Sequence, residues 1–447
     1  MVTEGLITSE KARAAGRRDV RAQTAWSIVE ARSRFRRPPG GVATCNSRVR
    51  TMRSVYLDNN ATTRVDYEVV QAMLPFFTDQ FGNPSSKHAF GSSVSAAVKK
   101  ARRQVQALIG ARCHHEIAFT SGGTESDNAA MLSALEVMPD RTEIVISSVE
   151  HPAVLTLCTH LEKTRGVKVH RIPVDHHGRL NLDAYRAALT TRVAVVSIMW
   201  ANNETGTIFP VVELAELAKG VGALFHTDAT QAIGKIPVNL KSTAIDMLSL
   251  SGHKLHGPKG IGALYVKRGI RFHSLIKGGR QERGRRAGTE NTPGIIGLGK
   301  AAELARKFMK DENTRVKLLR DRLENGILQR VPDTFVVGNP LERLPNTTNI
   351  AFENVEGDGL VHFLDRYGIA CSSGSACASG LLEPSHVLKA MNIPHTAANG
   401  ATRFSFSREN CEEDVDRVLD VISETVQKLR DVGRNGSSLV DIQAFMP

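Results

Sequence analysis

Apolar positions along most of the chain fall into two alternating patterns. Residues 68–77 and 93–109 carry apolar side chains at helical spacing and predict amphipathic helices. Residues 117–120, 144–147, 193–199, 223–226, 247–250 and 262–266 are short apolar runs bounded by polar or glycine-rich turns, and predict strands. Helical stretches such as 211–219 lie between them. Near-continuous apolar strands alternating with helices predict a mostly parallel sheet covered on both faces. After Thr289 a helix-like region runs to about Arg330. A second alternating block follows, and an acidic-then-apolar helix at 412–429 closes it. The expectation is an α/β protein, with a large domain over 64–311 and a smaller α/β domain formed by 53–63 with 312–447. No internal repeat is present.

Residues 1–51 show no sustained period. They hold eleven Lys and Arg against four Asp and Glu, a net of +7 of the chain's +12. Three readings compete for them. A disordered extension over 1–52, or a start assigned upstream of Met52, fits the lack of pattern and is preferred. A transit peptide is opposed by Glu4, Glu10 and Asp19. A nucleic-acid-binding arm lacks interleaved aromatic residues. The rest of the chain is only mildly basic, so no direct nucleic-acid binding is expected.

The chain has 447 residues, 41% of them hydrophobic and 23% charged, which suits a soluble globular protein with a large core. No apolar run is long enough to cross a membrane and no secretory leader opens the chain. Six scattered cysteines without paired spacing argue against a disulfide framework and for a reducing cytoplasm. Cys113-His114-His115 has no second cluster at ligand spacing, and reads as a solvated loop rather than a metal site.

Polar clusters stand where the predicted strands end, the edge at which open parallel sheets bind ligands. Thr120-Ser121-Gly122-Gly123-Thr124-Glu125-Ser126 joins a strand to a helix. Its small residues and the helix N-terminus suit an anion, although a plain tight turn would look similar. It is not a Walker A loop. In Ser251-Gly252-His253-Lys254 a lysine follows a buried strand, where burial beside a cation makes an amine nucleophilic and able to condense with a carbonyl cofactor. By itself a surface lysine remains the commoner reading. Asp228-Ala229-Thr230-Gln231 offers a carboxylate for a protonated ring nitrogen, or only a helix cap. Asn202-Asn203-Glu204-Thr205-Gly206 offers an amide. Glu150-His151-Pro152 offers an imidazole for stacking or proton transfer, or a structural histidine. Ser372-Ser373-Gly374-Ser375-Ala376-Cys377-Ala378-Ser379-Gly380 reads as an exposed polar loop with an accessible thiol.

Taken in order, these clusters resemble the cysteine desulfurases, pyridoxal-phosphate enzymes of fold type I. The matching stretches also include Tyr56-Leu57-Asp58-Asn59-Asn60-Ala61-Thr62-Thr63, Asn83-Pro84-Ser85-Ser86, Gly257-Pro258-Lys259-Gly260 and residues 285–291. The likeness runs from about Val55 to the C-terminal helix. The Cys377 loop resembles the long-loop class, and residues 382–392 and 397–408 look closest to its nitrogen-fixation (NifS-type) members. Housekeeping iron–sulfur assembly enzymes are also similar.

The resemblance implies a fold type I transferase that binds pyridoxal 5'-phosphate. Lys254 would carry the cofactor, Asp228 would pair with its ring nitrogen, and His151 would stack on the ring. Asn203 and Gln231 would contact the ring oxygen. Gly123, Thr124, Ser251 and His253 would hold the phosphate, with Thr289 reaching it from the other subunit of a homodimer. Arg403, with Asn203, would bind the substrate L-cysteine. Cys377 would take the sulfur as a persulfide, releasing L-alanine, and serve as a transient iron–sulfur ligand during transfer. A NifU-like scaffold would accept the sulfur for iron–sulfur clusters, in particular those of nitrogenase. Cys371, six positions before Cys377, follows the apolar pair Ile369-Ala370 and is expected to pack.

Three rivals remain. An aminotransferase or selenocysteine lyase of the same fold would not need Cys377. A housekeeping or tRNA-thiolation desulfurase would differ only in its acceptor. A nucleic-acid-binding protein would depend on residues 1–51.

Overall fold

In the computed structural model, residues 53–373 and 384–434 are described. The extension 1–52 and Cys377 lie outside them. The chain enters through strand β1 (Val55–Tyr56) and helices α1 (Tyr67–Met73) and α2 (Ala89–Ile109). Asp66 caps α1 by accepting from Glu68 N, and a short 3₁₀ turn containing Pro75 ends that helical stretch at Phe76. Helix α2 starts four residues earlier than its apolar spacing predicts, because His88 caps it through Gly91 N.

The main sheet is laid down as β2 (Ile117–Thr120), β3 (Glu143–Ser147), β4 (Lys168–Ile172), β5 (Val193–Ser197), β6 (Leu224–Asp228), β7 (Met247–Ser251) and β8 (Gly262–Val266). Its spatial order is β2-β8-β7-β6-β5-β3-β4. The pairs from β7 to β4 are parallel, while β8 is antiparallel to both β7 and β2. Helices α3 (Gly123–Val137), α4 (Pro152–Arg165), α5 (Leu182–Ala188) and α6 (Val211–Gly220) alternate with these strands. Val145 and Val196 point into one apolar core, whereas Ile144, Ile146 and Val195 point into another. The central strands are thus buried on both faces, which is why they read as unbroken apolar runs.

Helix α7 (Thr292–Asp311) and helix α8 (Lys317–Arg330) are separated by a π-helical turn at Glu312–Val316, so the long helical region is interrupted once. A four-stranded antiparallel sheet follows, ordered β12-β13-β10-β9, from β9 (Thr334–Val336), β10 (Thr347–Phe352), β12 (Ser372–Ser373) and β13 (Thr402–Ser405). Strand β11 (Ile369–Ala370) pairs with β1 in parallel. Helix α9 (Gly357–Arg366) and the final helix α10 (Glu412–Arg434) pack with this sheet around a separate apolar cluster that includes Leu57, Leu323, Phe404 and Ile422. Cys371 lies in that cluster, and burial pushes its thiol up to about 12. It packs, as its neighbours predict.

Among the described residues no helix is long and apolar enough to cross a membrane. No group of three or more His, Cys, Asp or Glu side chains placed to hold a metal ion occurs among them either.

Candidate active site

Strands β5, β6 and β7 end at one cavity of about 400 Å³. Ten of the twelve predicted site residues line it: Gly123, Thr124, His151, Asn203, Asp228, Gln231, Ser251, His253, Lys254 and Arg403. Thr289 does not. It is exposed, in a loop bordering a second cavity of about 260 Å³ beside Ser121 and Arg286. Cys377, the twelfth, is outside the described residues.

Lys254 ends a 3₁₀ turn that follows β7 directly. Its Nζ donates to Asn60 O, and to Ala61 O at 2.7 Å. Burial, and then the charge of Arg403, push its amine down to about 8, against the pull of Asp228 and Asp58. An amine so poised is neutral often enough near pH 7 to act as a nucleophile and a base.

Asp228 closes β6, and its Oδ1 accepts from Thr230 N at 2.9 Å. Behind it His226 is fully buried, its ring nitrogens 2.8 Å from Ser197 Oγ and 2.9 Å from Ser249 Oγ. Burial pushes that imidazole down to about 4, so it stays neutral. Asp127 Oδ1 lies 3.6 Å from His226 Nε2. Burial, reinforced by Asp228, pushes the Asp127 carboxyl well up. His151 caps α4, its Nδ1 accepting from Ala153 N at 3.1 Å. The neutral ring therefore carries its proton on Nε2. Burial lowers its proton affinity.

The predicted anion turn forms the start of α3. Gly122 caps that helix without a side-chain bond, so backbone N–H groups and the helix dipole face the cavity. A Cβ on Gly123 would stand 3.0 Å from Thr230 Oγ1 and 3.8 Å from Ser251 Cβ, so the two hydroxyl-bearing residues converge on this glycine. Thr230 Oγ1 is buried without a hydrogen-bond partner. A buried hydroxyl with no partner costs about 1–3 kcal/mol, which an anion bound here would recover. His253 Nδ1 meets Thr62 Oγ1 at 3.1 Å, and burial, then Lys254, push its ring down to about 4.

Arg403 enters from β13. Its Nη1 donates to Asn203 O at 2.9 Å and its Nη2 to Asp58 Oδ1 at 2.7 Å. The side chain is 9% exposed, and Nε is buried with no partner. A planar guanidinium with donors to spare suits a carboxylate. Asn203 faces the cavity, but its carbonyl serves Arg403 and Asn60 Nδ2. Gln231 Nε2 donates to Asn60 O at 2.9 Å.

An anion cradle, a carboxylate at the end of β6 and a low-affinity lysine share one cavity. They fit the phosphate, the ring nitrogen and the aldehyde of pyridoxal phosphate. Several participants were not singled out from sequence. Asp58 and Asn60 lie in a stretch quoted for resemblance, and Thr230 lies inside a recognised motif, so signals existed for these three. Asp127 sits one residue past the anion motif and Lys235 in an unremarkable Gly-Lys-Ile run. Only their tertiary neighbours mark them.

The model of the aminotransferase class-V family matches residues 55–418. A cysteine desulfurase of Sinorhizobium fredii is 71% identical over 380 residues, 85% of this chain and 98% of that protein. The cysteine desulfurase NifS of Azotobacter vinelandii is 61% identical over 381 residues, covering 85% of this chain and 94% of that protein. A solved NifS-like protein superposes with a TM-score of 0.79 at 38% identity, over 84% of this chain and all of that one. The cavity and these relatives agree: the chain belongs to the class-V aminotransferase family and, within it, to the NifS-type cysteine desulfurases, enzymes that use pyridoxal 5'-phosphate.

Proposed function

We propose that Lys254, Arg403 and Cys377 divide the desulfurase chemistry among them, and that the sulfur goes to iron–sulfur clusters, in particular those of nitrogenase. Pyridoxal phosphate, when bound, supplies an electron sink for the substrate's α-carbon. Lys254 carries the cofactor and its amine moves the α-proton, a task suited by an affinity near pH 8. Asp228 holds the ring nitrogen and His151 covers the ring. Asn203 and Gln231 are the ring-oxygen contacts. Gly123, Thr124, Ser251 and His253 hold the phosphate, joined by Thr230. Arg403, steadied by Asp58, grips the cysteine carboxylate. The Cys377 thiolate forms a bond to the substrate sulfur as the Cβ–S bond breaks. The carbon fragment keeps the bond's electron pair, takes up a proton and leaves as L-alanine.

One observation supports this division above the others. Ser372 and Ser373 pair with Arg403 and Thr402 on β13. Cys377 follows Ser373 by four residues, a reach of at most about 14 Å of extended chain. The loop's root thus starts on the strand next to the carboxylate anchor.

A homodimer fits two further features. Tyr67, Leu74, Phe77, Phe81 and Phe90 form an exposed apolar set on and around α1 and the start of α2, and apolar surface of this kind marks an interface. Exposed Thr289 is then available to the partner's phosphate site. The division of the chain into a large domain over 64–311 and a small one from 53–63 with 312–447 belongs to the same reading, as do a cytoplasmic location, a NifU-like acceptor and a transient iron–sulfur ligand role for Cys377. In a nitrogen-fixing bacterium deprived of its nitrogenase-linked desulfurase, this chain should restore growth on dinitrogen. Rescue of general growth alone would favour the housekeeping reading.

A further inference from the structure

Lys235 stands behind the site, four residues after Gln231, and is 6% exposed. Its Nζ donates to Gln231 Oε1 at 2.7 Å and to Asn60 Oδ1 at 3.3 Å. The Asn60 amide is fixed independently: its Nδ2 donates to Asn203 O at 3.1 Å and to Thr347 Oγ1 at 2.9 Å, and its Oδ1 also accepts from Asn346 Nδ2 at 3.1 Å. Lys235 Nζ therefore faces two acceptor oxygens. Glu312, presented by the π-helical turn, borders with Lys235 and Lys254 a cavity of about 20 Å³, room for one water. Lys254, Glu312 and Arg403 are the charged groups that act on Lys235.

Charged or neutral, a lysine Nζ between two acceptor oxygens must donate, and a glutamine amide has one accepting and one donating end. With its oxygen on Lys235, Gln231 must turn its NH₂ toward the cavity. There Gln231 Nε2 and Lys254 Nζ both donate to Asn60 O, so the two donors sit side by side. The ring hydroxyl of pyridoxal phosphate is ortho to the aldehyde that Lys254 binds. A donor next to Lys254 is thus placed for that oxygen.

We infer that Lys235 is a positioning residue which fixes the orientation of the Gln231 amide so that its NH₂ meets the cofactor's ring oxygen, resting on the reading of Gln231 as a ring-oxygen contact. Without the lysine, only the Asn60 carbonyl still holds the NH₂ end, and the amide can turn its oxygen toward the negative ring oxygen. The bound cofactor then holds its titrating proton more tightly.

The test is the pH titration of the bound cofactor's visible absorbance in the holoenzyme, for wild type, Gln231→Met, Lys235→Met and the double variant. Gln231→Met should raise the midpoint by about one pH unit, the scale of one hydrogen bond to a charged group. Lys235→Met should raise it comparably, and the double variant no further than Gln231→Met alone. Should Lys235→Met fail to fold, Lys235→Leu replaces it, since it likewise offers no donor to Gln231 and should also raise the midpoint. An unmoved midpoint in Gln231→Met would overturn the ring-contact reading itself. A shift in Gln231→Met with none in the Lys235 variant, or additive shifts in the double, would overturn the positioning role and leave Lys235 acting by charge alone or not at all.

Discussion

Replacing Arg403 by lysine keeps the charge and removes the fork. In the structure the guanidinium spends Nη2 on Asp58 at 2.7 Å and Nη1 on Asn203 O at 2.9 Å, which leaves the buried Nε unsatisfied. Such an orphan is tolerated where a ligand supplies its partner. A lysine head cannot keep both anchors and also offer a planar donor pair to a carboxylate. The loss is one charge-assisted hydrogen bond, about 2 kcal/mol, or roughly 30-fold. If Arg403 grips the carboxylate equally before and during reaction, the effect belongs in KM, with kcat little changed. The assay is the initial rate of alanine formation over a range of cysteine concentrations, with cofactor occupancy followed by absorbance. Asp58→Asn keeps an acceptor but drops its charge, and should raise KM less, by about fivefold. A KM for Arg403→Lys within twofold of wild type would refute the assignment. So would an activity loss matched by lost cofactor.

Other consequences follow from buried groups. Cys371→Ala should retain desulfurase activity while lowering stability by about 1 kcal/mol in denaturant unfolding, since a small buried group is lost from the packed cluster; near-complete loss of activity would give Cys371 a chemical role. Glu150, which precedes His151, is fully buried, and burial raises its carboxyl to about 8. An acid held protonated by the fold stabilises fully below its ordinary range, and that contribution fades as pH rises from there through about 8, by about 5 kcal/mol in all. Glu150→Gln keeps the shape without the proton, so its Tm should decline less than wild type between pH 6 and 9. Parallel declines in calorimetry would show that Glu150 does not titrate in this way.

The central strands were legible because they are apolar on both faces. Strand β4 was not, because it lies at the sheet edge, pairs only with β3, and carries exposed Lys168 and Arg171 on either side of partly covered Val169 and His170. Helix α4 escaped notice although Pro152 at its start and Gly166 at its end, in a left-handed conformation, mark its limits. A helix was expected after the Thr120–Ser126 turn, but not that Gly123 itself opens it. Motif residues at strand ends converged on one cavity because chain topology brings those ends together. Asp127 and Lys235 carry no local sign of their roles, since burial and partners from distant segments create them. Thr289 lies apart from that cavity within one chain, bordering the second one.

The central claim joins Lys254 to Cys377, and mapping sulfur tests it most directly. Purified protein is incubated with L-cysteine, alanine is quantified, and persulfide is located by mass spectrometry in wild type, Lys254→Ala and Cys377→Ala. The expected result is a persulfide on Cys377 with matching alanine in wild type, and neither product in Lys254→Ala. Cys377→Ala should form no persulfide and little alanine. Persulfide located elsewhere in wild type, or alanine formed without Lys254, would contradict the account.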